Sequence, residues 1–453
     1  MSPRRGTRSA RGLLVALVGV LGVAAGTWLT ADAPPGLSER DDVASAAVAP
    51  ASVVCPAPGE AGRLSAAVLA LTTDAPAATL RVAQSSASAA DGVLQVPGEE
   101  LAEDLSVVTA DPVTPDLAAT VDRTRPRLSA TACVVAGGRV WFTGVGAEID
   151  HAATLELVNP ESGPAVVRVR VLGPEGPVET VDLREVSVPA GERVTVDLAD
   201  AAPAIGEVAL EVRTTRGRVA AFVTDRVGTL GAGRPATESV PSQTTPRRQV
   251  VLGGLPARAD GHVLVVANPG EFEALGTLAV LGPDGTFVPE ADAELRVPPG
   301  GTVAVDVSEA VGTAAAAIRV TADSAVTAVV RSQVGADMTY AGPVRPLRAA
   351  SGAVLPAGVR SVVQLSSDGD ARELTVQPYA ADGRVLEAQQ VTVPVAGTVA
   401  VTLPERARSV VVRDGGSGVR GAVVLRSDAG VAVLPLRPGA ARAPAPVVVP
   451  VVR

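Results

Sequence analysis

Lysine is absent from this 453-residue chain, so all 39 of its basic residues are arginine. That excludes a P-loop, a Schiff base and a Ser-x-x-Lys hydrolase, each of which needs a lysine amine. Histidine occurs only at His151 and His262, with no His-Glu-x-x-His pattern. Each sits shortly before an Asn-Pro in a different repeat, so the two read as equivalent, partly exposed strand positions. Aromatics are 2% of the chain, too few for the rows of ring platforms that sugar-binding modules use. Cysteine occurs only at Cys55 and Cys133, with no Cys-x-x-Cys and no histidine cluster, which excludes redox-motif and zinc readings. In an oxidising compartment such a pair reads as a disulfide; the alternative is two separate buried thiols. No Gly-x-Ser-x-Gly elbow occurs, and Gly231–Ala236 imitates a dinucleotide loop only until Pro235 interrupts it. The sequence therefore names no catalytic residue, no metal ligand and no cofactor.

What is abundant is valine, leucine and alanine, within an apolar share of 47%. Branched side chains fit a pleated surface, so strands are expected. The net charge is −9, which argues against a nucleic-acid partner. The arginine-only basicity reads as GC-rich coding bias and points to an actinobacterial source. At the N-terminus Arg4, Arg5, Arg8 and Arg11 form a basic cytoplasmic flank (1–11) ahead of the uncharged stretch Gly12–Leu29. That pattern reads as a signal anchor or transmembrane helix over 12–30, or as a cleaved signal peptide. Either way the body is expected outside the cytoplasm. Residues 31–50 read as a disordered linker.

The body repeats itself. Val188-Pro189-Ala190-Gly191 returns as Val297-Pro298-Pro299-Gly300, at 297 − 188 = 109. Leu172-Gly173-Pro174-Glu175-Gly176 and Asn159-Pro160 return at the same offset, as Leu281-Gly282-Pro283-Asp284-Gly285 and Asn268-Pro269. Three motifs at one spacing mean a duplicated domain. A third copy carries Val393-Pro394-Val395-Ala396-Gly397 with Ala381-Asp382-Gly383, and a degenerate copy carries Leu94–Gly98. Four units follow: 51–138, which contains the cysteines, 139–247, 248–351 and 352–446, with 447–453 as a C-terminal strand or tail. Within a unit apolar residues alternate, as in Val167, Val169 and Val171, the mark of strands with one wet face. In 248–351 the pattern predicts seven strands: Val250–Leu252, His262–Ala267, Thr277–Leu281, Phe287–Val288, Thr302–Val307, Ala317–Thr321 and Val326–Ser332. That number suits an all-β chain of tandem immunoglobulin-like β-sandwich domains after the N-terminal helix. The Val-rich tail 447–452 either completes the last domain or closes the array, as in a propeller. Propeller blades, however, repeat at about half the period found here.

Asn159 and Asn268, the only asparagines, precede Pro160 and Pro269 at strand ends, where an Asx-type structural turn is expected. In the last unit Asp368 is expected to supply the same acceptor. Asp368-Gly369-Asp370 with Glu373 is a fragment of a calcium loop, or a solvated turn. Trp141-Phe142 is the densest aromatic spot of the body, and reads as a core plug or as a partner contact.

The chain resembles the actinobacterial domain-of-unknown-function family 5719. The likeness rests on the Arg-rich start with one apolar anchor, Cys55-Pro56, Cys133, Trp141-Phe142-Thr143-Gly144, Leu155-Glu156-Leu157-Val158-Asn159-Pro160 and the Val-Pro-Ala-Gly turns. It implies a membrane-associated protein with an extracytoplasmic body, and brings no catalytic residues. The expected role is non-enzymatic: a scaffold or interaction protein of the cell envelope. Its partner would be another envelope protein or a glycopolymer, and the cytoplasmic membrane would hold its N-terminal helix. The alternatives are an accessory partner of an envelope glycosyltransferase or peptidase, and an atypical carboxylate hydrolase.

Overall fold

A computed structural model describes residues 45–47, 52–71, 78–101, 105–228, 235–289, 294–416, 418–439 and 442–444. The expected anchor over 12–30 and the tail 447–453 lie outside them. No helix among the described residues is long and apolar enough to cross a membrane. Among the described residues the chain is all-β, and its helices are single turns such as Leu198–Ala201 and Ser308–Val311.

Module three, in 248–351, shows the plan. Strand Ala274–Gly282 lies between Glu294–Val297 and the first half of the long strand Ala316–Val334, whose other neighbour is Arg247–Leu255. The second half of Ala316–Val334 lies between Gly261–Ala267 and Asp337–Ala341, and Thr302–Asp306 completes that sheet. With Gly285–Phe287 paired to the far end of Ala274–Gly282, a five-stranded and a four-stranded sheet thus share one strand. Their inward residues, among them Leu252, Leu264, Val280, Ile318 and Val330, close on a single core. Each of the seven expected strands overlaps an observed one, though Val288 and Val307 fall just past the ends of Gly285–Phe287 and Thr302–Asp306. Two edge strands, Glu294–Val297 and Asp337–Ala341, escape the sequence reading, and the last two expected strands are one continuous strand.

The other modules repeat this order. Their first strands start at Ser52, Arg139 and Ala350. In an immunoglobulin sandwich the first strand belongs with the second; here it pairs with the strand that follows the fifth, as Val251 opposite Arg319. Each repeat of about 100 residues therefore makes two sheets, which removes the objection from period.

The modules are not beads in a row, because residues 49–440 form one compact unit. The first sheet of each module packs on the second sheet of the next. Val54 of module one meets Val158, Ala220 and Phe222 of module two. Trp141, Leu172 and Ala209 of module two meet Ala267 of module three. Val251, Leu281 and Ala317 of module three meet Ala422 of module four. Module four then returns to module one, where Val354 and Val411 pack on Ala67, Leu69 and Leu71. The eight sheets form a closed cycle, and the four last strands of the modules touch in the same cyclic order.

The repeated turns explain themselves at these seams. The Leu-Gly-Pro-x-Gly turn of one module lies against the Val-Pro-x-Gly turn of the next. A Cβ on Gly300 would stand 2.9 Å from Pro177, and one on Gly397 2.8 Å from the Gly282 carbonyl. At the closing seam Gly92 meets the Ala381–Gly383 turn, and the Val93 amide donates to the Ala381 carbonyl at 2.8 Å. The two sequence signatures of duplication are the halves of one joint.

Separately, Ser45–Ala47 and Arg442–Pro444 pair antiparallel, within a unit made of the two chain ends.

Candidate functional site

Charged side chains buried between modules form two clusters. In strand Ala220–Val227 the inward parity runs Ala221, Val223 and then Asp225, so the chain pushes a carboxylate into the core. Asp225 is fully buried. Its Oδ1 accepts the Gly146 amide at 3.0 Å, and its Oδ2 accepts the Tyr340 hydroxyl of module three at 2.5 Å. His151 Nε2 lies 2.9 Å from the same Oδ2. Arg331, also of module three, pairs with Glu207 at 2.7 Å and reaches His151 at 3.3 Å. Burial opposes charge on His151, but the hydrogen bond and charge of Asp225, with Glu207, outweigh it and raise its pKa. Burial and Asp225 push Tyr340 well above the ordinary phenol range, so it remains a donor. The cluster sets Asp225 and Glu207 against Arg331 and a readily protonated His151, which ties module three to module two.

The second cluster lies where the last strands meet. Glu238 of module two and Asp337 of module three are each 2% exposed. Glu238 accepts the Ser239 amide at 2.7 Å and a backbone bond from Ala130 of module one. Asp337 accepts the Val431 amide of module four at 2.8 Å. Each carboxyl therefore bridges two modules. One oxygen of each, Glu238 Oε2 and Asp337 Oδ1, has no hydrogen-bond partner among the described residues. Burial raises both pKa values, and the charge of Asp337 raises that of Glu238 further. A cavity of about 330 Å³ opens beside Asp337, between Arg127, Gly335, Arg426 and Asp428. A carboxyl held protonated is the usual equipment of a general acid.

Cys55 and Cys133 are bonded to each other, at the first strand and the end of the last strand of module one. Asn159 Oδ1 accepts the Glu161 amide at 3.0 Å, while its Nδ2 donates to the carbonyls of Gly163, Val188 and Pro189. Asn268 repeats this with the Gly270 amide at 2.9 Å and the Phe272 and Val297 carbonyls. Each asparagine, with Pro160 or Pro269 behind it, staples its turn to the Val-Pro turn of its own module. In module four Ser367, not Asp368, takes that position and accepts the Gly369 amide. Asp368 pairs instead with Arg420 at 2.7 Å. Among the described residues no group of three metal-binding side chains occurs.

Trp141 and Phe142 are buried, at 0% and 1% exposure, which overturns their reading as a partner contact. Their strand is covered on one face by the core of its own module and on the other by module three. Nor are the histidines equivalent. Val263 stands opposite Asp306 as Thr154 stands opposite Asp197, so His262 matches Ala153 and His151 matches Asp260. His262 is buried, bonded to Ser332 at 2.8 Å, and burial lowers its pKa to about 4. Sequence reading passed over Asp225, Glu238 and Asp337. The available signal was a carboxylate on the core-facing parity of a strand, clearest in Ala221-Val223-Asp225.

A model of a family of unknown function (DUF5719) matches residues 117–404, from the end of module one through most of module four. No curated protein matches the chain.

Proposed function

The chain belongs to DUF5719, a family of unknown function, and on that footing we propose that it is an exported, membrane-anchored, non-enzymatic scaffold of the cell envelope. We read each module as a β-sandwich and the closed cycle as a propeller-like ring of eight blades. Such a ring would present loops and strand edges to an envelope protein or glycopolymer, with no nucleic-acid partner. The observation that carries the reading is the Cys55–Cys133 disulfide, which suits an oxidising compartment. The commitment of the buried charges to inter-module contacts supports it, because they tie blades together. The test is protease accessibility of the body in intact cells, combined with mass analysis of the cysteines. A body shielded with the cytoplasm, carrying two free thiols, would sink it. Crosslinking in the membrane then separates a general scaffold from an accessory partner of one glycosyltransferase or peptidase, since the latter yields a single crosslinked enzyme.

The buried carboxyls Glu238 and Asp337 favour a second reading, an atypical carboxylate hydrolase. It requires turnover of an envelope polymer that Glu238→Gln and Asp337→Asn each abolish in folded protein.

A further inference from the structure

We propose that module two carries a built site for a linear polyanion with a phosphodiester in each repeat, of the kind found in anionic envelope glycopolymers. Three arginines from three adjacent strands stand side by side. Arg213 is directly opposite Arg139 on one flank and Arg168 on the other. Directly opposite residues share a face, and neighbouring strands lie about 4.8 Å apart, so the row spans about 10 Å. Arg216, opposite Val166, extends it along the same face. All four arginines are exposed.

Like charges set directly opposite destabilise a sheet, so such a row needs a reason. The row beside it is a support. Glu211, 8% exposed, pairs with Arg139 at 2.5 Å and with Arg170 at 3.1 Å. The Trp141 ring lies 5.5 Å from the Arg139 guanidinium and 5.6 Å from that of Arg170. One carboxylate and one ring thus steer the arms of two arginines. Arg213 and Arg216 have no carboxylate partner among the described residues, and Arg168 bonds only the Arg184 carbonyl, at 3.4 Å.

The other modules are internal controls. The same three positions read Ser52, Thr109 and Arg81 in module one, and Gln249, Thr321 and Thr277 in module three. In module four they read Ala350, Arg413 and Thr375, with Arg413 spent on the Ala70 carbonyl. The fold therefore does not require arginine there. Guanidinium pairs with phosphate in a two-point geometry. A flat row of charge fits a polymer that repeats its charge along a line. An acidic protein surface would also look for an apolar anchor, which the row does not offer.

The proposal rests on the envelope reading for its choice of partner, but its test does not. The full chain in mild detergent is passed over immobilised poly(glycerol phosphate) and eluted with salt. Arg168→Gln with Arg213→Gln is expected to bind about ten-fold more weakly at 0.1 M salt. The slope of log affinity against log salt should fall by about 0.7 per guanidinium removed. Arg348→Gln with Arg406→Gln, at exposed sites in modules three and four, is expected to leave both unchanged. An equal loss in that control overturns the site, as does tighter retention on poly-L-glutamate than on poly(glycerol phosphate). Equal melting temperatures of the two double variants establish that both are folded. No retention by an exported body sinks this site alone, whereas row-dependent retention by a cytoplasmic body sinks the envelope reading alone.

Discussion

The seam between modules two and three and the seam between modules one and two join the same strand positions by different chemistry. At the first, Gly300 packs its backbone under Pro177, and Thr143 and Thr327 share a hydrogen bond of 2.7 Å. Gln243 exchanges bonds with the Ala328 backbone, and Tyr340 reaches into module two for Asp225. At the second, the equivalent Gly191 has nothing among the described residues within 4 Å of where a Cβ would stand. Glu156 holds that seam instead, accepting the Ala57 amide at 3.1 Å and pairing with Arg193 at 2.7 Å. Where the repeat kept its turns, the joint is close backbone packing. Where module one drifted, a part-buried carboxylate of module two took over, held by its own Arg193 and accepting the Ala57 amide, and a covalent bond braces module one.

Five experiments press on that contrast. Cys55→Ala should cost module one about 4 kcal/mol, for a bond spanning a sequence separation of 78 residues. A denaturation curve in which module one melts ahead of the rest is expected, and a single unshifted transition would break the contrast. Asp225→Ala should cost about 3 kcal/mol by stranding Arg331, Tyr340 and the Gly146 amide, while Asp225→Asn should cost visibly less. Equal losses in urea would mean that the charge of Asp225 is irrelevant to its seam.

The third experiment is a pH series on module one. Burial raises the Asp122 pKa from 3.8 to about 6, against the pull of Arg63. The folded value lies above the unfolded one, so the term costs nothing below about pH 4 and is a full cost above about pH 6. Asp122→Asn should therefore gain on wild type between pH 4 and pH 7, by up to about 3 kcal/mol. His262 of module three, lowered to about 4, works the opposite way and loses stability as pH falls from 6.5. Removing Asp122 should leave that acid loss uncompensated, and a pH-independent difference from wild type would contradict the assignment.

Gly300→Ala and Gly191→Ala isolate the turn joint. Both positions have left-handed backbones, at φ +60 and +67, so the backbone strain cancels in the comparison. Gly300→Ala should cost about 1–2 kcal/mol more, from the contact with Pro177 alone. The smallest effect is expected from Glu156→Gln, about 1 kcal/mol, since its pair with Arg193 is partly open to water. A larger loss there than at Gly300 would reverse the ranking of the two seams.

Strands were legible because their signal is local. Val167, Val169 and Val171 mark their strand without help from elsewhere, and Asn159-Pro160 marks a turn through its own amide. The closed cycle was not legible, because its joints are made of segments that already had a sufficient local explanation. Gly173–Gly176 and Pro298–Gly301 each read as a tight turn, and nothing in either announces the other. Trp141 stayed ambiguous between core plug and partner contact for a related reason: a strand covered on both faces looks, one residue at a time, like one with an aromatic edge. The central carboxylates were hidden by composition, since Glu238 and Asp337 are two among 48 acidic residues. The arginine row was likewise invisible, because its three members come together only through register.

The bond from Arg413 to the Ala70 carbonyl joins residues 343 positions apart. A growing chain therefore emerges with Leu69 and Leu71 bare, and they stay bare until nearly all of module four has been synthesised. Three finished modules still form an open arc with two sticky ends, and arcs from neighbouring ribosomes can cap one another as readily as themselves. The last hundred residues thus supply the surface that seals the molecule, and a chain truncated before them is expected to self-associate through its two uncovered faces.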